Sequence, residues 1–292
     1  MKRLTKTSLV ITLCMLICAL TFAACSDQPQ NDKDWVVEWD KYQPSLGGTP
    51  LPPLDEDTSI GDNEEDAEDG NDEEIEVPVI TYSYMIKSNT SALNIRSAPN
   101  TSSSIVGKMD KGDMLRFEGE QNGWYKTVYK QKTAYVYSGN NYAYVVKMKQ
   151  TNEKVEKVIS IGEELMGYPY VWGSQRYHWG NGILNTNFVQ GQYDCSALMQ
   201  YIYFKGANIN LDLTTRTQVL QGRQVANGDL QRGDLMFFTN SSRYNNTGVE
   251  RIGHVALYLG DNYILHTATD FAVIEEISAT RWSYFIVAKR FI

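Results

Sequence analysis

Cysteine is scarce in this 292-residue chain, with four in all. Cys14 and Cys18 lie inside the apolar run Ser8–Leu20, Cys25 follows closely, and Cys195 stands alone in everything after. A domain stapled by disulfides is thereby excluded. Histidine is limited to His178, His254 and His266, with no paired cysteines nearby, so no zinc ligand set can be assembled and no metal is expected. The apolar run falls short of the roughly 20 residues a membrane span needs. Basic residues are missing altogether between Asp55 and Glu76, where 13 acidic residues occur. The formal net charge of -8 comes from that segment, because Pro78–Ile292 holds 22 Lys or Arg against 17 Asp or Glu. The folded part is therefore not acidic, and nothing points to nucleic acid, a nucleotide or a cofactor.

The N-terminus carries Lys2, Arg3 and Lys6, then the apolar run, then small residues, which is the layout of a secretory signal. Phe22-Ala23-Ala24-Cys25 resembles the lipobox of bacterial lipoproteins, with Phe22 where Leu is usual. The resemblance implies a signal over residues 1–24 and lipidation of Cys25. The protein would then sit on the outer face of the bacterial cytoplasmic membrane, facing the cell wall. Residues 25–80 are polar, acidic and broken by Pro44, Pro50, Pro52, Pro53 and Pro78, the composition of a disordered tether that extends by self-repulsion.

Residues 81–149 read as short strands separated by turns: Leu93–Arg96, Gly107–Met109, Met114–Phe117, Trp124–Val128 and Ala134–Tyr137. Such spacing predicts a small barrel. The stretch resembles a bacterial SH3-like domain through Ala92-Leu93-Asn94-Ile95-Arg96-Ser97-Ala98-Pro99-Asn100, Asn122-Gly123-Trp124-Tyr125-Lys126-Thr127 and Ala134-Tyr135-Val136. Ala98 and Ala134 replace the family's usual glycines. Pro78–Gln150 holds 10 basic and 4 acidic residues, so such a barrel could dwell on anionic wall polymers. Trp124 and Tyr125 read equally as a ligand shelf or as core.

Residues 151–292 open with an amphipathic pattern over Thr151–Gly167, with Val155, Val158, Ile159, Leu165 and Met166 on one stripe and Thr151 or Asn152 as cap. Farther on, Gln192–Gly206 reads as a loop feeding a helix stopped by Gly206, with Cys195 in the first turn. Unpaired amides and the positive helix end there favour a thiolate. His254 and His266 lie on two strands joined by a Gly-Asp turn at Gly260-Asp261. An even pairing register puts both on one face, within reach of each other. An unpaired thiol in an exported protein, with histidines downstream, reads as a nucleophile and its base.

Asp194-Cys195-Ser196-Ala197-Leu198, Gly253-His254-Val255-Ala256-Leu257-Tyr258-Leu259-Gly260 and Leu265-His266-Thr267-Ala268 resemble the NlpC family of cell-wall cysteine peptidases. Gly167–Ser174 and Gly233–Phe238 extend the likeness upstream of the two catalytic motifs. The resemblance implies a papain-like α+β fold and hydrolysis of peptidoglycan stem peptides, most often between γ-D-glutamate and a diamino acid. It also implies Cys195 as nucleophile, His254 as base and His266 as the orienting residue. Tyr170, Trp172, Asp194 and Ser196 would line the substrate cleft, with Asp194, Ser196 and Tyr170 holding the free amine of a stem peptide; Asp194 serves equally as N-cap of the helix. Ala197 and Ser174 stand where glycine is usual. The long stretch Gln175–Tyr193, with Tyr177, His178, Trp179, Asn187 and Phe188, reads as a cleft wall. Other readings are an amidase or transpeptidase using the same thiol, and a lipid-tethered wall-binding protein without catalysis.

Overall fold

A computed structural model describes residues 80–226, 228–268 and 270–292. The signal, Cys25 and all but the last residue of the expected tether lie outside the described residues. Among the described residues, no helix is long and apolar enough to cross a membrane.

Eight strands come first: β1 (Tyr82–Ser88), β2 (Leu93–Arg96), β3 (Ile105–Met109), β4 (Met114–Arg116), β5 (Gly119–Gln121), β6 (Trp124–Tyr129), β7 (Lys132–Tyr137) and β8 (Ala143–Lys149). Five of them form one sheet in the order β3-β2-β7-β6-β5. Period-2 burial drives it: Leu93 and Ile95 of β2, and Ala134 and Val136 of β7, point into the core. Ala134 is a strand residue, as expected, packed at 1 % exposure. Trp124, at 8 %, is core and packs edge-on to Tyr137 with centroids 5.5 Å apart, which removes it as a ligand shelf.

The second half contains helices α1 (Glu153–Glu164), α2 (Cys195–Ala207), α3 (Thr215–Gln218) and α4 (Ala279–Ser283). Its strands are β9 (Arg223–Val225), β10 (Leu235–Phe238), β11 (His254–Gly260), β12 (Tyr263–Ala268), β13 (Phe271–Glu276) and β14 (Phe285–Arg290). These six strands continue into three from the first half, giving one sheet in the order β8-β1-β4-β13-β12-β11-β10-β14-β9. The junction is a single antiparallel pair, Met114 opposite Ile274. Helix α2 packs on this sheet against β11 and β12, and α1 packs on α2 and against β6 of the five-stranded sheet, a mixed α+β arrangement.

Helix α1 starts at Asn152, whose side chain accepts from the Val155 N–H at 3.0 Å. Leu165 and Met166 lie past its last residue and are buried all the same. Helix α2 does not stop at Gly206; it ends one residue later, and Asn208 closes it in the left-handed region at φ 56°. Gly206 has a packing reason instead. A Cβ added there would sit 2.6 Å from Val158 Cα of α1, so the two helices cross too closely for any side chain.

The halves are joined by more than the sheet. The β6–β7 turn, Lys130 and Gln131 with φ 53° and 58°, donates both backbone N–H groups to the end of α1, at Met166 O and Glu164 O, each at 2.9 Å. The Tyr129 ring lies where a Cβ on either Gly107 or Gly167 would collide with it. Arg232 forms a bidentate pair with Glu156 of α1 at 2.8 Å per contact, and donates to Leu259 O of β11 and Ser83 Oγ of β1.

Candidate functional site

Cys195 is the first residue of α2 and 7 % exposed. Asp194 is the N-cap, with Oδ1 accepting from Ala197 N–H at 2.8 Å and from the Ser196 hydroxyl at 2.9 Å. Ser174, which stands where the family has glycine, uses its hydroxyl oxygen to accept from Asp194 N–H at 2.9 Å and so pins the residue before the cysteine. Backbone hydrogen bonds from Val255 and Ser196 favour ionisation of the thiol, as does the Arg176 charge. Burial and the neighbouring Asp194 carboxylate outweigh them and push the thiol up to about 12. The resting group is therefore a thiol, contrary to the expectation from helix position alone.

His254 opens β11, and the backbone N–H of the next residue, Val255, lies near enough to the Cys195 thiol to favour its ionisation. Strands β11 and β12 pair with Leu257 opposite Leu265 and Tyr258 opposite Ile264. Continued inward, that even register makes His254 and His266 diagonal neighbours on one face, past a tight turn in which Asp261 and Asn262 both adopt positive φ. His254 Nε2 lies 3.0 Å from His266 Nδ1. His266 Nε2 lies 3.0 Å from Glu275 Oε1 on β13, and Arg281 Nη2 donates to the same oxygen at 2.8 Å.

This chain of contacts settles which nitrogen carries which proton. Burial opposes ionisation of Glu275, but the His266 hydrogen bond and charge and the Arg281 guanidinium prevail and hold its carboxyl at about 2. As an anion Glu275 only accepts, so His266 carries its proton on Nε2 and leaves Nδ1 bare. His254 then donates from Nε2 to that bare nitrogen, and its own Nδ1 is left as a free base. Burial, with the positive charges of His266 and Arg281, depresses His254 well below the usual histidine value. Burial likewise lowers His266 against the pull of Glu275. Both rings are neutral near neutral pH. Glu275 and Arg281 escape sequence reasoning because no motif surrounds them; only the β12–β13 register, Ile264 opposite Glu275 and His266 opposite Val273, brings the carboxylate diagonally to His266.

A cleft of about 410 Å³ opens beside the cysteine, lined among others by Tyr170, Trp172, Arg176, Asp194, Ser196 and Gly253. Trp172 stands 83 % exposed at its rim. Tyr170 remains a protonated phenol, pushed to about 12 by burial and by Cys195 and Asp194. Of the long stretch Gln175–Tyr193, Arg176 alone lines the cleft. Tyr177 and Phe188 pack instead on Tyr201 of α2, with centroids 5.0 and 5.6 Å away, so the segment is mostly a buttress on the outer face of the helix and not a wall. His178 is fully buried, its Nδ1 accepting from Gly180 N–H. Among the described residues no group of His, Cys, Asp or Glu could hold a metal ion.

Residues 167–290 match the NlpC/P60 family, and residues 91–140 match the Bacterial SH3 domain. The NlpC/P60 match thus takes in the helix that carries Cys195 and the strands that carry His254 and His266. A peptidoglycan DL-endopeptidase, CwlO, of Bacillus licheniformis is 28 % identical over 144 residues, covering 49 % of this chain and 29 % of that protein. The peptidoglycan endopeptidase RipA of Mycolicibacterium smegmatis is 33 % identical over 113 residues, 39 % of this chain and 21 % of its own. A gamma-D-glutamyl-L-lysine dipeptidyl-peptidase of Bacillus subtilis is 30 % identical over 139 residues, 48 % of this chain and 40 % of its own. The chain thus matches under half the length of each of these relatives.

Proposed function

We propose that this protein is a cysteine peptidase of peptidoglycan stem peptides, cutting the amide between γ-D-glutamate and a diamino acid. The observation that carries the reading is the hydrogen-bonded series from Glu275 through His266 to His254, the residue immediately before Val255, whose backbone N–H reaches the Cys195 thiol. The family match and the names of the relatives support the substrate class.

In this reading His254 Nδ1 takes the Cys195 proton as the sulfur attacks the scissile carbonyl carbon, so charge separates only in the attack step. The imidazolium formed is stabilised through His266 by the Glu275 carboxylate. The Cys195 N–H at the start of α2 donates to the developing oxyanion, since the Asp194 cap consumes the Ala197 N–H and leaves the terminal amide free. The amine leaves with the His254 proton, and water, deprotonated by the same nitrogen, releases the acyl group from sulfur. Cys195→Ala is expected to abolish release of new amines from purified wall peptides by mass spectrometry while wild type releases them; equal release by both proteins would refute the thiol mechanism.

We also propose that Cys25 is lipidated and that the protein works on the outer face of the cytoplasmic membrane, where the basic first domain dwells on anionic wall polymers. The lipobox-like Phe22–Cys25 and the +6 balance of Pro78–Gln150 support this. Replacing Cys25 with Ala should move the protein from the membrane fraction to the soluble exported fraction, and unchanged retention on membranes would count against the anchor.

A further inference from the structure

Asp194 lines the cleft next to Cys195, where a carboxylate would hold a substrate ammonium, yet both of its oxygens are engaged. Oδ1 takes the Ala197 N–H and the Ser196 hydroxyl, and Oδ2 lies 2.9 Å from Arg176 Nη2. Arg176 does not depend on Asp194 for its position. Its Nη1 donates to Ser174 O at 2.7 Å, its Nε to Leu213 O, and Nη2 also to Ser196 Oγ at 3.1 Å. At 15 % side-chain exposure the guanidinium is a fixture, because swinging it away would strand several acceptors at once.

The other charged residues lining the cleft are Arg216 and Arg243. Glu250 reaches both, 3.4 Å from Arg216 Nε and 3.1 Å from Arg243 Nη1, and so holds two guanidinium groups at the lip with a single negative charge. Three cations against two anions leave the cleft positive. An ammonium approaching Cys195 would be opposed by these arginines and would find the one lining carboxylate already accepting two hydrogen bonds and ion-paired with Arg176. An acylated amino end carries no charge to oppose.

We propose that Arg176 is a specificity-determining residue. By occupying Asp194 it makes the cleft take stem peptides whose amino end is an amide, as where the peptide is joined to the glycan, in preference to released peptides with a free ammonium. The inference rests on the stem-peptide reading above and reverses the expectation that Asp194, Ser196 and Tyr170 hold a free amine.

The test uses two synthetic stem peptides of identical γ-D-glutamyl–diamino acid sequence, one with a free amino terminus and one N-acetylated, with kcat and KM read for each. Wild type is expected to cut the acetylated peptide at least as efficiently. Arg176→Gln should shift the kcat/KM ratio tenfold or more toward the free-amine peptide, mainly through KM, and Asp194→Asn added to it should reverse that shift. Arg176→Lys, which keeps the charge, should keep the wild-type ratio; a shift there as large as that of the Gln variant overturns the role of charge. A wild type preferring the free amine tenfold overturns the proposal even where a variant fails to fold. So does a folded Arg176→Gln protein with an unchanged ratio. If wild type cuts neither peptide, the stem-peptide reading fails and this inference falls with it; a measurable ratio of the wrong sign fails the inference alone.

Discussion

Glu275 stands two hydrogen bonds away from the His254 ring, yet its charge decides where both imidazole protons sit. Exchanging it for glutamine removes the obligatory acceptor and lets His266 adopt the other tautomer, which would place a proton on Nδ1 against His254. Glu275→Gln is expected to lower kcat roughly 10–100-fold, the usual range for a partner that orients a reacting group, with KM little changed. Steady-state kinetics on the stem peptide check this, and an unaltered kcat would mean that the carboxylate only supports the fold. At this scale the sequence was readable wherever a residue sits in a motif, as Cys195, His254 and His266 do. It was silent where the partner arrives from another strand or loop. Glu275 depends on β12–β13 register and Arg176 on a loop folding back to the helix start. The protonation state of Cys195 was misjudged for a related reason, since helix position is local whereas burial at 7 % exposure is a property of the assembled site.

Helix α2 carries the cysteine and is buried along most of its length, from Cys195 to Tyr203. Its apolar periodicity is weak because it is covered nearly all round, by α1, by the sheet and by the Tyr177 and Phe188 rings. Its start was legible from the Asp194 cap. Its end was not, because Gly206 looked like a stop and is a crossing point instead. Gly206→Leu should push α1 and α2 apart and destabilise the protein by about 1–3 kcal/mol, read as a lower urea midpoint; an unchanged midpoint would show that the crossing can relax. The short strands of the first half were legible as an all-β, SH3-like region from turn spacing. Their recruitment into the second half's sheet was not, because β1, β4 and β8 alternate in the same way whichever neighbour they pair with.

At the scale of the whole molecule, the ends of α1 and β4 meet around a buried carboxyl. Glu163 is 5 % exposed, with Arg116 Nη1 of β4 3.9 Å away. Burial raises it to about 7 against the opposing pull of Arg116 and Arg232. Above its unfolded value near 4.5 the unfolded chain gives up this proton while the folded chain keeps it, so folding stability falls as pH rises from about 4.5 to 7 and stays lower beyond. Glu163→Gln removes that slope. The variant should be more stable than wild type at pH 8 by on the order of 2–3 kcal/mol, with the gap closing toward pH 5. Chemical denaturation at the two pH values measures it, and a gap of equal size at both would assign the effect to packing instead of charge.

Tyr129 gives the two halves one further property. A ring seated against two glycines, with the β6–β7 turn bonded to the end of α1 on one side and a shared sheet on the other, leaves no joint about which the halves could pivot. The SH3-like face and the thiol are held at a constant offset, like the jaws of a locked caliper. On the reading proposed above, with the first half resting on a wall strand, the thiol would address only those peptide bonds that lie at that stand-off, so the length of the protein would set the spacing of cuts as much as the chemistry of its cleft.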